Sequence, residues 1–80
     1  MEMLSLGKND INIAAQLFQP ERLTQARELK EVTRQELALR INKTASAVSQ
    51  FESGSSRPDP STLAEISMAL GVRLQFFAFF

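Results

Sequence analysis

One stretch of the chain has the residue types and spacing to do chemistry. Ser46, Ser49, Gln50 and Ser53 stand at i, i+3, i+4 and i+7, with Ala45 beside them, and no charged residue occurs from Thr44 to Phe51. On a helix this spacing lines them up on one face. A solvated helix face ordinarily mixes Lys and Glu, as the two segments before this one do. A stripe of small uncharged side chains instead lets a helix sink into the major groove of DNA, where a Gln amide can pair bidentately with adenine N6 and N7. The plainer alternative is a Ser-rich helix facing water. Arg34, Arg40, Lys43 and Arg57 surround the stripe in sequence and can serve as phosphate clamps, which position a protein without specifying sequence.

What the chain lacks narrows the rest. It has no Cys, hence no disulfide, thiol nucleophile or thiolate metal site, and no His, the commonest general base and metal ligand. No catalytic residue, metal or cofactor is therefore expected. The 80 residues suit one small domain, and 44% apolar composition is globular. No apolar run is flanked for export or reaches the ~20 residues that span a bilayer, so a soluble cytoplasmic module is expected. Nine basic residues balance nine acidic ones. Residues 20–53 carry six basic and five acidic groups, so any DNA footprint must come from placement and not from bulk charge.

The elements that must position the stripe are marked by punctuation. Residues 1–19 form an N-terminal arm or a short amphipathic helix capped by Asp10, with Ile11, Ile13, Ala14, Leu17 and Phe18 as its apolar residues. Pro20 suits a first helical position, and Leu23, Ala26 and Leu29 with Val32 read as the inward stripe of a helix over residues 20–30. Thr33 and Glu36 form a capping box that starts a second helix, with Leu37, Ala38 and Ile41 inward. Asn42 closes it in the left-handed conformation. Thr44 caps a third helix with Val48 and Phe51 inward, and Gly54 stops it. Residues 53–60 are a loop, ending in the cap and first-turn proline Asp59-Pro60. A fourth helix places Leu63, Ile66, Ala69 and Leu70 inward and closes at Gly71, and a short fifth covers Val72 to Phe77. The expected fold is an all-α compact bundle of five short helices, with residues 20–80 as the domain. Its second and third helices, joined by Asn42-Lys43-Thr44, have the dimensions of a helix-turn-helix.

The segments Arg27-Glu-Leu-Lys-Glu-Val-Thr-Arg-Gln-Glu-Leu-Ala38, Ala47-Val-Ser-Gln-Phe-Glu-Ser-Gly54, Arg57-Pro and Met68-Ala-Leu-Gly-Val72 resemble the lambda-repressor-like (Cro/cI, or XRE) class of helix-turn-helix domain. The resemblance covers residues 20–77, and its motifs keep their mutual spacing. It implies a prokaryotic-type transcriptional regulator binding double-stranded DNA as a homodimer, on half-sites about 34–36 Å apart. By the same resemblance Thr33 and Arg34 fall where the second helix meets a phosphate. Thr44, Ala45, Ser46 and Gln50 fall at or beside base-reading positions, and Ser53 and Ser55 at backbone contacts beyond them. Arg27 and Glu52 match an ion pair that ties the first helix to the end of the third. Three departures stand out: Glu31 and Asn42 replace glycines of the two turns, and Ala45 replaces a polar base-contacting residue.

Four of the six Phe residues lie in the last five positions, Phe76-Phe-Ala-Phe-Phe80. Phe77 is expected in the core. Phe79 and Phe80 read either as a dimer interface or as the point where the chain runs into a further domain, the second reading being preferred. Leu17 to Leu23 and Gly71 to Phe77 are similar to the domain that precedes a peptidase in phage and mobile-element regulators. A second functional class is a protein-interaction module, an antitoxin or adaptor, which neutral charge favours. Asn42-Lys43-Thr44 matches a glycosylation acceptor pattern, but a turn between helices explains it.

Overall fold

The capping box expected at Thr33 is formed in full. Its hydroxyl accepts from the Glu36 backbone N–H at 3.0 Å, and the Glu36 carboxylate accepts from the Thr33 N–H at 2.8 Å. The computed structural model describes the backbone of residues 8–78 and the side chains of residues 11–78. Among the described residues there are six helices and no strand. They are α1 (Lys8–Gln16), α2 (Pro20–Leu29), α3 (Arg34–Arg40), α4 (Ala45–Ser53), α5 (Pro60–Leu70) and α6 (Leu74–Ala78). The fold is the expected all-α bundle, with α1 added to the five helices read from Pro20 onward.

Four of the starts, those of α2 to α5, have a local cause. Pro20 and Pro60 occupy first-turn positions, and Asp59 and Thr44 accept through their side chains from the N–H groups of Thr62 and Ala47. Three ends share one device. After α2, Val32 N–H bonds Arg27 O and Glu31 N–H bonds Glu28 O; Lys43 and Asn42 repeat this on Ala38 and Leu39, and Val72 and Gly71 on Ser67 and Met68. This pairing, in which one N–H reaches five residues back and the N–H before it three residues back, is the Schellman closure, which needs a left-handed residue at its hinge. The hinges are Glu31 (φ 57°), Asn42 (φ 58°) and Gly71 (φ 68°). Glu31 thus adopts the conformation a glycine would take there.

The helices bury one continuous core containing Phe18, Leu23, Leu37, Val48, Leu63, Ile66 and Phe77. α3 packs on α4, α2 crosses α4 and α6, and α1 lies against α5 and α6. Phe77 meets Phe18 at 6.4 Å between ring centroids, and Gln19 N–H bonds Phe77 O at 2.9 Å, so the start of α2 is tied to α6.

Four expectations are corrected. Leu29 is 72% exposed. Six residues beyond Leu23, it lies about 120° round the helix, and the buried positions are Leu23, Ala26 and Arg27. Asp10 lies inside α1, which begins at Lys8, and does not cap it. Ile13 and Leu17 of the α1 segment are exposed, while Ala14, Ala15 and Phe18 are buried. The last helix starts at Leu74, because Val72 belongs to the turn: its N–H closes α5 and its carbonyl accepts from the Ser67 hydroxyl. Phe79 and Phe80 lie outside the described residues.

Candidate nucleic-acid interface

The burial of Val48 and Phe51 orients α4, and with it the uncharged stripe. With those two side chains turned into the core, Ser46, Ser49, Gln50 and Ser53 are exposed on the opposite face. The side chains of Ser46, Ser49 and Gln50 make no hydrogen bond among the described residues, so their donors and acceptors are free for a ligand. All the residues expected at a DNA surface (Thr33, Arg34, Lys43, Thr44, Ala45, Ser46, Ser49, Gln50, Ser53, Ser55 and Arg57) are exposed. The turn that sets α3 across α4 is closed by Asn42, with Ala38 buried on α3.

The hydroxyls of Thr33 and Thr44 each accept from a backbone N–H. A hydroxyl that accepts still has its own proton to donate, so capping leaves both able to bond a phosphate. Ser53 is used differently. Its hydroxyl bonds Gln50 O at 3.2 Å and pairs with the Ser55 hydroxyl at 2.9 Å, so the two serines close the end of α4 together.

The cations around the stripe are more engaged than their spacing suggests. Arg40 Nη1 donates to Ala69 O at 3.1 Å, closing the C-terminal end of α5. Arg57 Nη1 donates to Gln16 O at 2.8 Å at the end of α1. Lys43 lies close enough to Asp59 to favour its charged form; the Thr62 backbone N–H is the main reason that this carboxyl sits below the usual aspartate range. Arg34 Nε donates to Glu52 Oε1 at 2.9 Å.

Glu52 is the centre of a buried charge cluster. Arg27 approaches it with Nε on Oε2 at 2.6 Å and Nη2 on Oε1 at 3.3 Å, and turns Nη1 to Val32 O at 3.0 Å. Burial pushes the Glu52 carboxyl up, but hydrogen bonds from Arg27, Arg34 and Thr24, with the charge of Arg27, together outweigh it and hold the group below the usual glutamate range. The hydrogen bond to Glu52 correspondingly raises the Arg27 pKa. The Arg27–Glu52 pair thus joins α2, the turn before α3, and α4. The part of Arg34 in this cluster carried no sequence signal, since the two residues are 18 positions apart.

A sequence model of the helix-turn-helix family matches residues 23–77, which includes both helices of the motif and the cluster that braces them. Among curated proteins the chain is similar to "Multiprotein-bridging factor 1" of Candida albicans, 28% identical over 74 residues that cover 92% of this chain and 45% of that protein. It is also similar to "Vegetative-specific protein H7" of Dictyostelium discoideum, 34% identical over 56 residues, 70% of this chain and 54% of that one. A "Multiprotein-bridging factor 1" of Debaryomyces hansenii is 31% identical over 74 residues, with 92% and 45% covered. The chain spans about half the length of these relatives. The capped turn, the buried brace and a match over most of its length agree, and the chain belongs to the lambda-repressor-like (XRE) family of helix-turn-helix DNA-binding domains.

Proposed function

We propose that the chain is a sequence-specific transcriptional regulator that reads double-stranded DNA with α4 in the major groove. The observation that carries this reading is the exposed, uncharged, unbonded stripe of Ser46, Ser49 and Gln50, held outward by buried Val48 and Phe51. Gln50 is the base reader, by bidentate pairing to adenine, with Ala45, Ser46 and Ser49 shaping the contact. Thr33, Arg34, Lys43, Thr44, Ser53, Ser55 and Arg57 are the phosphate-side residues. Residues 20–80 form the DNA-binding domain. The operator is a pseudo-palindrome read by two copies, which associate through the Phe-rich C-terminus. The action is repressor-like.

Selection from a randomised duplex pool at two salt concentrations tests the reading. Enrichment of a symmetric motif, with affinity falling steeply with salt, is the expected result. Absence of any enriched motif at low salt overturns it.

A second reading, an adaptor that binds protein, is favoured by one feature of the surface. Leu39 and Met68 are 78% and 81% exposed, on α3 and α5, which pack together. The relatives named as multiprotein-bridging factors support the same reading. Those relatives are eukaryotic, so they do not support a prokaryotic setting.

A further inference from the structure

Glu52 has only 4% of its side chain exposed, and a carboxylate so placed is costly unless it is paired. Arg27 alone answers that need. It meets both carboxylate oxygens, and its remaining Nη1 is anchored on Val32 O, so Glu52 is held in one place by a group itself fixed to the backbone. The bond from Arg34 is therefore an addition to a pair already made. Its geometry is specific: Arg34 donates through Nε, while Nη1 and Nη2 make no hydrogen bond among the described residues, and the side chain is 49% exposed.

We infer that Glu52 is a positioning residue for DNA binding: it grips Arg34 by the inner edge of the guanidinium, so that the two outer nitrogens are presented in fixed orientation to one DNA phosphate. This rests on the DNA-binding reading above. A guanidinium is a planar fork that matches phosphate oxygens bidentately, and orienting it before contact lowers the entropy lost on binding. The grip does not neutralise the clamp. Two guanidiniums share one carboxylate, which leaves the cluster with one net positive charge, and Arg34 is its exposed member. Glu52 thereby links two parts of the interface: it lies on the reading helix α4, and Arg34 begins α3. The phosphate contact and the base-reading stripe are then held in register by the same carboxylate.

Arg34→Lys tests this because it keeps the charge and removes the fork. Duplex affinity is measured as a function of salt for the full chain, Arg34→Lys and Arg34→Ala, with thermal unfolding of each as a check on folding. The expected result is that Arg34→Lys binds roughly tenfold more weakly, the scale of one charge-assisted hydrogen bond, with the salt slope of the unaltered chain. Arg34→Ala loses about one unit of that slope as well. Equal affinity for Arg34→Lys and the unaltered chain overturns the inference while leaving the DNA-binding reading intact, since charge alone would then suffice. A second arm uses Glu52→Gln at a temperature where it is folded. Arg34→Ala should cost less affinity in that background than in the unaltered chain, and an equal cost overturns the positioning role. If the unaltered chain shows no salt-dependent duplex binding, the DNA-binding reading fails and this inference fails with it.

Discussion

Arg57 donates to the backbone carbonyl of Gln16 across 41 positions of sequence, at 2.8 Å. The loop that follows α4 is thereby tied to the end of α1. A carbonyl in the last turn of a helix has no partner within the helix, so a guanidinium there satisfies it and also meets the negative end of the helix dipole. Because the pair is exposed, its contribution is modest. Arg57→Ala should lower stability by about 1 kcal/mol. Urea unfolding checks this, with a lower midpoint and an unchanged slope; an unchanged midpoint would show that the bond contributes nothing.

Glu31 holds a left-handed hinge at φ 57° without being a glycine. That conformation costs a non-glycine residue about 1–2 kcal/mol, while glycine's greater freedom in the unfolded chain takes back about 0.4–1 kcal/mol. Glu31→Gly should therefore raise stability by roughly 0.5–1 kcal/mol, a Tm increase of a few degrees for a domain of this size. A lower Tm would mean that the Glu31 side chain contributes a compensating contact.

Gln50 is exposed and makes no side-chain hydrogen bond within the described residues, so its removal should leave the fold unchanged. On the best duplex, Gln50→Ala should cost about 1–3 kcal/mol and relax preference at one base position. Repeating the duplex selection with the variant is the measurement. An unchanged motif would remove Gln50 from the base-reading role.

Three carboxyls, Glu36, Glu52 and Asp59, are held below their ordinary range. For Glu36 the main cause is the hydrogen bond from the Thr33 backbone N–H. A depressed carboxyl binds its proton less readily in the folded chain than in the unfolded one. Its contribution is therefore fully present above the unfolded value, about 4 for these groups, and is lost as pH falls through the folded value. Tm should be flat from neutral pH down to about pH 5 and decline below it. Asp59→Asn keeps a good cap and removes one titrating group, so its decline should be shallower. Parallel curves for the two proteins would exclude Asp59 as a contributor.

Phe77 is fully buried and packs against Phe18 of the segment after α1 and against Phe76, whose ring lies 4.7 Å from the Arg22 guanidinium carbon. Phe77→Ala should cost about 3–5 kcal/mol. In a domain of this size, where total stability is about 5–15 kcal/mol, that brings the folded state close to its limit. Circular dichroism during thermal unfolding reads the loss directly.

Features whose causes lie within a few residues of each other can be read directly from the order of the residues. Thr33 and Glu36 cap α3 because three residues separate them. Thr44 and Asp59 cap their helices in the same way, and Asn42 closes the turn through its own backbone preference. The stripe on α4 was legible because helical period alone sets it opposite Val48 and Phe51. Leu29 departs from its spacing because the inward face of α2 drifts round the helix, and the position facing the core goes to Arg27, whose charge a partner on another helix compensates. The Arg27–Glu52 pair is implied by the family resemblance, whereas the second arginine on Glu52 and the anchors of Arg40 and Arg57 follow only from how the helices pack. Arg34, Arg40 and Arg57 meet their acceptors across 18 to 41 positions, where spacing carries no information and only the packing of the helices determines which donor reaches which acceptor.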